Sequence, residues 1–382
     1  MDNSPFSFGK IVFKNTFVNR EEEKKRLKAN FSSGINTILI SPRRWGKSSL
    51  VKEVASQLSS SDKNIRFCFI DLFAIRSEED FYETLAKEVI KCSSSKVEEW
   101  LKAGKNFFTH LIPTFSVGIN PQEDFSVSMD WKELKKHKGE ILNLPEKIAT
   151  QKKIKIVLCI DEFQNIKNFD KENNLEKILR SYWQQHKQVT YCLYGSKRHM
   201  MADIFNEKNK PFYRFGDIIL LQKIKIEHWK KFIQTSFTKT GKSIPINLAE
   251  KIAVLMTCHP YYVQQLAHLV WQCTEKKTVA ENIEQSIEDL FRWNEPLYQQ
   301  EIENIGNTLL YLLIAIASGE TVLTSAKVMH KYKLGTPNNV SKNKLILQKN
   351  DIIDYSNNQY NFLDPVFEMW FKKQFLKSTR TG

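Results

Sequence analysis

The sequence lacks the patterns of an exported or membrane protein. No apolar run approaches the ~18 residues that a bilayer-spanning helix needs, and the first ten residues, MDNSPFSFGK, lack the charged and then apolar order of a signal peptide. The six cysteines show no CxxC spacing, which argues against zinc. Three of them, Cys68, Cys159 and Cys192, fall in predicted strands, as reduced and buried thiols do. We therefore expect a cytoplasmic protein without membrane contact.

Acidic residues are also in deficit. The 382 residues include 57 Lys+Arg against 43 Asp+Glu, which gives a formal net charge of +14. This excess favours a polyanionic partner, most simply nucleic acid, although surface lysines also serve only to keep a protein soluble. With 41% hydrophobic and 26% charged residues the chain has the composition of a soluble globular protein. Its length suggests two or three domains.

A buried strand, a tight loop and a helix are predicted in succession within residues 35–50, INTILISPRRWGKSSL. This order is typical of a phosphate-binding loop, because the backbone N–H groups at a helix N-terminus converge on one anion. Lys47 adds a charge for the β- and γ-phosphates of ATP, and the Ser48 hydroxyl can ligate Mg²⁺. The predicted nucleotide-binding segment also includes Arg43, Arg44, Trp45, Gly46 and Ser49.

The loop lacks the first glycine of the usual GxxxxGK[ST] pattern, since Ser41 stands there. A serine fits this position only if its backbone φ is negative. The remaining GKS tripeptide also occurs by chance on surface helices, so the loop needs support from elsewhere in the chain.

That support comes from Lys155–Ile160, the strongest predicted strand, which leads directly into two adjacent carboxylates. Asp161 is predicted to hold the Mg²⁺ shell, and Glu162 to orient and deprotonate an attacking water. An Asp-Glu pair alone could equally begin a solvated helix. At the end of a buried strand, roughly 115 residues after a phosphate loop, the pair predicts a P-loop NTPase.

Three further side chains are candidates for the same chemistry. Ser196 follows the next predicted strand and can reach the γ-phosphate or the water, or it is an ordinary turn serine. Arg214 is a candidate finger for the nucleotide of a neighbouring subunit, because an arginine stabilises charge on a transferring phosphoryl group; that role implies a homo-oligomer. His259 precedes Pro260 at a helix start, where it could contact a phosphate or serve only as a structural cap.

The pattern of the chain predicts three domains. The α/β core covers residues 1–222, with an inserted hairpin near 113–131, and periodicity becomes purely helical beyond it, which predicts a helical lid over 223–300. Residues 301–382 read as helix, strand, helix, helix, hairpin and helix, the order of a winged helix-turn-helix domain. Within it we expect a short strand at Thr321–Leu323.

The winged helix-turn-helix domain is a candidate for binding double-stranded DNA. Its second and third helices carry six lysines, with no carboxylate between Thr324 and Asn350: Lys327, Lys331, Lys333, Lys342, Lys344 and Lys349. A basic recognition helix beside a wing favours contact with duplex phosphates. Many such domains instead bind only proteins, so a partner protein stays open as the alternative, and no arginine-rich helix predicts a particular DNA sequence.

Several segments, taken in order, together resemble a known family. They are FVNREEE, SPRRWGKSS, CIDEFQ, YGSKRHMM, PFYRFGDIILL, CHPYYVQQL and DYSNNQYNFLDPVFEMWF. The chain resembles the archaeal-type ATPases, a branch of P-loop ATPases close to the AAA+ and STAND groups. The resemblance implies an ASCE-type parallel sheet, a helical lid and a C-terminal winged helix.

The resemblance also implies roles for particular residues. Gly46, Lys47 and Ser48 would bind phosphates and Mg²⁺, Asp161 and Glu162 would form the metal and water site, and Ser196 would be the sensor. The segment of Asn19 and Arg20 would flank the adenine. Independently of the family, Asn19 is a predicted N-cap of the following helix.

Two functions follow from these observations. One is an ATP-hydrolysing switch or motor, associated with DNA and assembled as an oligomer. The other is a nucleotide-gated scaffold with slow hydrolysis, whose winged helix docks a partner protein. A kinase is disfavoured, because a Glu after Asp161 suits activation of water and no separate acceptor-binding domain is visible.

Overall fold

Two compact units make up the protein in a computed structural model that describes residues 4–12, 17–94, 107–118, 124–170, 174–356 and 358–376. One unit is Arg20–Gln222, and the other joins the N-terminal segment up to Asn19 with the chain from Lys223 onwards. Each has its own hydrophobic core. None of the described helices combines the length and the apolar character that crossing a bilayer requires.

A five-stranded parallel sheet forms the centre of the Arg20–Gln222 unit, with strand order β2-β5-β6-β1-β7. Its strands are β1 Thr37–Ile40, β2 Ile65–Asp71, β5 Lys155–Asp161, β6 Val189–Gly195 and β7 Asp217–Leu220. All five lie on largely apolar runs, as expected for strands that helices cover on both faces. The carboxyl ends of parallel strands lie at one edge, so the sheet brings the residues after β1, β5 and β6 together.

The described residues of this unit form eight α-helices. They are α1 Glu21–Ser33, α2 Lys47–Ser61, α3 Glu78–Cys92, α4 Trp131–Lys136, α5 Lys138–Leu142, α6 Leu144–Lys152, α7 Asn174–Trp183 and α8 Arg198–Phe205, together with a 3₁₀ helix at Phe163–Asn168. Polar side chains fix several helix starts: the Ser77 hydroxyl accepts the Asp80 N–H before α3, and Asp130 accepts two N–H groups before α4.

The predicted inserted hairpin is confirmed as the antiparallel pair β3 Thr114–Ser116 and β4 Ser126–Ser128. Most of its predicted turn, Asn120–Asp124, lies outside the described residues. The Met129 N–H donates to Glu83 Oε1 on α3 at 2.9 Å, and Phe125 and Val127 are buried in the core. The insertion is therefore packed into the unit.

The predicted N-cap of α1 is wrong, because Arg20 occupies that position instead of Asn19. Arg20 adopts a left-handed φ of 77° and forms no side-chain cap bond. Its guanidinium is buried and donates instead to the Gln222 carbonyl oxygen and to Glu23 Oε1. A tertiary contact therefore decided how this helix begins.

The described residues of the other unit are mainly helical and include one hairpin. Its elements are α9 Ile226–Thr238, α10 Ile246–Leu255, α11 Pro260–Cys273, α12 Ala280–Glu303, α13 Asn307–Ala317, α14 Ala326–Lys331, α15 Pro337–Lys349, β8 Ile353–Ser356, β9 Gln359–Phe362 and α16 Pro365–Phe375. The hairpin β8–β9 is antiparallel, with Ile353 opposite Phe362. Side chains from α9 through α16 share a single core, and the division of this unit into a lid and a winged helix stays a prediction.

The predicted strand at Thr321–Leu323 is wrong, since these residues form a turn. Leu323 is buried, while Val322 is 62% exposed. Three residues with β-propensity make a strand only when a neighbouring strand accepts their hydrogen bonds. Here the turn leads directly into α14, whose Val328 N–H donates to the Ser325 hydroxyl.

Candidate functional site

The loop between β1 and α2 has the backbone that phosphate binding requires. Gly46 adopts a φ of 89°, which strains any residue with a Cβ. Ser41 is fully buried and is not among the residues with positive φ, so the condition for a serine at this position is met. The Ser41 N–H reaches the Gly195 carbonyl oxygen at 3.5 Å, which links the loop to the end of β6.

Lys47 is the buried cation of this site, with only 5% of its surface exposed. Its Nζ donates to the carbonyl oxygens of Ser41 at 3.2 Å and Pro42 at 3.3 Å. Burial lowers the pKa of the ammonium group, and the nearby Glu162 and Asp161 carboxylates act in the opposite direction. The first turn of α2 therefore holds a positive charge beside the two strand-end carboxylates.

Asp161 ends β5, and its Oδ2 accepts a hydrogen bond from the Ser48 hydroxyl at 2.6 Å. Burial raises the pKa of Asp161 to about 6. A hydroxyl and a carboxylate are the hard oxygen ligands that Mg²⁺ prefers, and a nearby divalent cation favours the ionised form of a buried carboxylate. The residues present therefore fit a magnesium ion.

Asp161 gives the folded protein a pH dependence that can be measured without nucleotide. Its pKa rises from an ordinary value of 3.8 to about 6, so between these values the folded state holds a proton that the unfolded state has lost. The free energy of unfolding therefore falls as the pH rises from about 4 to 6. Asp161→Asn should raise that free energy by up to about 3 kcal/mol at pH 7 and by nothing below pH 4, measured by urea unfolding in EDTA. An equal effect at both pH values would contradict this assignment.

Glu162, directly after β5, is fixed by its backbone conformation and by neighbouring side chains. Its backbone adopts a left-handed φ of 48°, a strained conformation of the kind that gathers at functional sites. Its Oε2 accepts hydrogen bonds from the Ser196 hydroxyl at 2.7 Å, from the Ser196 N–H at 3.4 Å and from the Gln164 amide. Two neighbouring side chains therefore orient the carboxylate.

Gln164 is a positioning residue that the sequence did not single out. It is 99% buried, in the 3₁₀ helix that follows β5. A Cβ placed on Gly195 would lie 2.0 Å from Gln164 Oε1, so the glycine that ends β6 leaves room for this side chain. Gln164 is the last residue of the CIDEFQ segment. Only the tertiary structure shows that its amide donates to Glu162.

The remaining loop residues add positive charge and an aromatic ring. Arg43 and Arg44 are exposed, whereas Trp45 and Ser49 are buried. The Arg198 guanidinium, at the start of α8, lies 5.4 Å from the centre of the Trp45 ring. Arg198 also acts to lower the pKa of Lys47, which shows that the positive charges lie close together.

Three of the predicted site residues are not brought to the phosphate loop by the described geometry. Arg214 is exposed and precedes β7, so the parallel register puts it at the sheet edge opposite the loop. His259 and Asn19 belong to the other compact unit. There His259 is buried at the N-cap of α11, with Pro260 at the first turn and without a side-chain cap bond.

The parallel sheet, the loop after β1 and the carboxylates after β5 define a P-loop NTPase fold. Residues 17–266 match the sequence profile of a family described as an ATPase domain predominantly from Archaea, and the chain belongs to that family. Residues 296–373 match a profile described as a probable winged helix domain. The predicted family and fold class are confirmed.

Two solved structures are similar to this chain over nearly its whole length. A Walker-type ATPase of Pyrococcus abyssi is 17% identical, with a TM-score of 0.64 over 94% of this chain and 97% of that one. The ORC2 protein of Aeropyrum pernix, in ADPNP-ADP complexes, is 11% identical, with a TM-score of 0.60 over 99% and 100%. At these identities the likeness shows the fold alone. No curated protein matches the chain.

Proposed function

We propose that this protein binds ATP and hydrolyses it to ADP and phosphate, as a nucleotide-driven switch or motor. The observation that carries the proposal is the pair of hydrogen bonds from Ser48 to Asp161, 2.6 Å, and from Ser196 to Glu162, 2.7 Å. They bring a candidate metal ligand and a candidate base to one edge of the sheet, beside the buried Lys47. The Aeropyrum ORC2 structure with ADPNP and ADP supports a nucleotide as the ligand.

The side chains of the site divide the reaction between them. The N–H groups at the start of α2 and the Lys47 ammonium bind the β- and γ-phosphates. Glu162 orients the attacking water and accepts its proton, while Ser196 and Gln164 hold the carboxylate in place. Ser48 and Asp161 hold Mg²⁺, which neutralises phosphate charge when it is bound.

The remaining predicted residues have supporting roles in this proposal. Asn19 and Arg20 flank the adenine, Arg43, Arg44 and Ser49 lie along the phosphates, and His259 is a candidate phosphate contact. Arg214 serves the nucleotide of a neighbouring subunit, because it is exposed and lies at the opposite edge of its own sheet. A homo-oligomer follows from that role.

ATP turnover, measured with Mg²⁺ and with EDTA, tests the proposal most directly. We expect turnover only with Mg²⁺, faster in the presence of duplex DNA, and a larger mass in ATP than in buffer alone. If the protein binds ATP but shows no turnover under all of these conditions, the enzymatic assignment is overturned. The nucleotide-gated scaffold is then the better account. An unchanged mass would remove the role of Arg214 in a neighbouring subunit.

The winged helix is proposed to bind the phosphates of duplex DNA. Lys342 on α15 is exposed, and Lys344 lies with its Nζ 5.2 Å from the Tyr360 ring of the hairpin. Lys331, by contrast, forms an ion pair with Glu320 at 3.0 Å, a contact that sequence spacing did not reveal. Three of the predicted DNA-contacting charges lie on α15, those of Lys342, Lys344 and Lys349.

Replacing both Lys342 and Lys344 by alanine is expected to weaken DNA binding and to make it less sensitive to salt. Each lost phosphate contact should reduce the slope of log K against log[salt] by about 0.9, as measured by fluorescence anisotropy. Lys372→Ala is the matched control, because that lysine pairs with Glu368 on α16. Equal slopes for the two variants would contradict a role of α15 in DNA binding.

A protein-docking scaffold is the second candidate function. Leu345 on α15 is 58% exposed and Tyr355 on the hairpin is 49% exposed. Large apolar side chains on the lysine-bearing helix and on the adjacent hairpin suit a protein partner. DNA binding that is absent or insensitive to salt would favour this alternative.

A further inference from the structure

Three side chains outside the nucleotide site converge in the inserted segment. His110, His137 and Glu140 each offer one ligand atom, and all three atoms lie within 4.8 Å of one another. The two imidazole rings stack with centroids 4.5 Å apart and an angle of 3°. The ring nitrogen Nδ1 of His110 lies 2.6 Å from Glu140 Oε1. Neither the phosphate loop nor the winged helix uses these residues.

The local fold holds each of the three residues in place. His137 joins α4 to α5, and Glu140 lies three residues later in the first turn of α5, a spacing that puts both on one helix face. The buried Ile141 and Leu142 anchor α5 in the core. His110 lies on the loop before β3, which the buried Leu111 anchors.

Glu140 is also bound to the backbone of this loop. Its carboxylate accepts the N–H groups of Thr109, His110 and Leu111 at 2.9, 3.0 and 3.4 Å. These bonds orient the carboxylate, as outer partners do for metal ligands. The same bonds allow a purely structural role, in which Glu140 only holds the 109–111 loop in place.

We propose that His110, His137 and Glu140 form a binding site for Zn²⁺. Two imidazoles and one carboxylate form a mixed nitrogen and oxygen donor set that suits zinc better than magnesium or calcium. The side chain of His110 is 60% exposed, so a water can take the fourth position from the solvent side.

The required rearrangement is small. Tetrahedral zinc, with bonds of about 2.0 to 2.1 Å, needs its ligand atoms about 3.3 Å apart. The His110–Glu140 pair is already closer than this, and no two ligand atoms of the cluster are more than 4.8 Å apart. Rotation of the exposed His110 ring and a small shift of His137 close the gap. The metal would tie the 109–111 loop to the α4–α5 junction.

Cysteine spacing gave no sign of this site. The sequence argument against zinc was that no cysteines lie at ligand spacing. His110 and His137 are 27 positions apart, and the intervening hairpin brings them together only in the folded unit.

Zinc titration of the chelator-treated full chain, in excess Mg²⁺, tests the proposal by calorimetry. We expect one Zn²⁺ per chain, and His110→Ala and His137→Ala should each weaken binding at least about tenfold. His228→Ala is the matched control, because His228 is an exposed histidine on α9. We expect this variant to bind Zn²⁺ as tightly as the wild type. Co²⁺ in place of Zn²⁺ should give a visible absorption band that His110→Ala abolishes.

The proposal is overturned if the wild type takes up no Zn²⁺, or if both histidine variants bind it as tightly as the wild type. Either result would leave Glu140 as a loop clamp only. Circular dichroism checks the fold of each variant. If His137→Ala fails to fold, His110→Ala decides the question, because its exposed side chain can be removed without opening the core.

Discussion

Replacing Glu162 by glutamine will slow ATP hydrolysis by about 10²- to 10⁴-fold and leave ATP affinity within a few-fold of the wild type. Glutamine keeps the size of the side chain and can still accept the hydrogen bonds that Ser196 and Gln164 donate to Oε2. It cannot take a proton from water, so the loss falls on turnover and spares binding. Single-turnover hydrolysis together with equilibrium binding of a fluorescent ATP analogue measures both quantities.

Asp71→Asn is the matched control for this variant. Asp71 ends β2, directly opposite Asp161 in the register of the sheet. The substitution Asp71→Asn removes one negative charge at the same sheet edge, and the new side-chain amide oxygen can still accept the Phe73 N–H. We expect turnover close to that of the wild type. Equal losses in the two variants, or wild-type turnover no faster than that of Glu162→Gln, would refute the assignment of Glu162 as the base.

Lys47→Ala will weaken ATP binding by about 2 to 5 kcal/mol, roughly 30- to 5000-fold. In the structure the ammonium makes two bonds of 3.2 and 3.3 Å to loop carbonyls. Charge-assisted bonds to phosphate are shorter, about 2.7 to 2.9 Å, and stronger. Lys47 therefore gains by exchanging carbonyl oxygens for phosphate oxygens, and alanine removes that gain. Calorimetric titration with ATP measures the change.

Lys52→Ala on the same helix provides the control. Lys52 is half-buried, with its Nζ 5.6 Å from the centre of the Phe69 ring. Lys52→Ala changes the net charge of α2 by the same amount as Lys47→Ala. We expect the ATP affinity of Lys52→Ala to stay within about twofold of the wild-type affinity. If both variants bind ATP equally well, the loop does not bind phosphate through Lys47. Thermal unfolding of each variant confirms that the fold is intact.

The sheet and the positions of the loop and the strand-end carboxylates could be predicted because their sequence patterns are local. The strands lie on apolar runs, and the candidate site residues follow β1 and end β5. Parallel strands align their carboxyl ends, so Ser48 and Asp161 had to meet once those strands were recognised. In the structure the Ser48 hydroxyl donates to Asp161 at 2.6 Å, and the roles of the two side chains stay a proposal.

The errors and omissions have a common cause, which is that long-range contacts override local pattern. Arg20 replaces Asn19 at the start of α1, because its guanidinium reaches Gln222 about 200 positions away. The predicted strand at Thr321–Leu323 becomes a turn, since local propensity does not supply a pairing partner. Gln164 was overlooked because only the end of β6 shows that its amide meets Glu162.

The sequence by itself determined the P-loop NTPase fold, the archaeal ATPase family and the winged helix, because the phosphate loop, the strand-end carboxylates and the apolar periodicity each lie in short segments. The tertiary structure decided which groups act together. It oriented Glu162 between Ser196 and Gln164, paired Lys331 with Glu320, and assembled His110, His137 and Glu140. The physical reason is that distance along the chain does not encode distance in space once helices and hairpins fold back on one another.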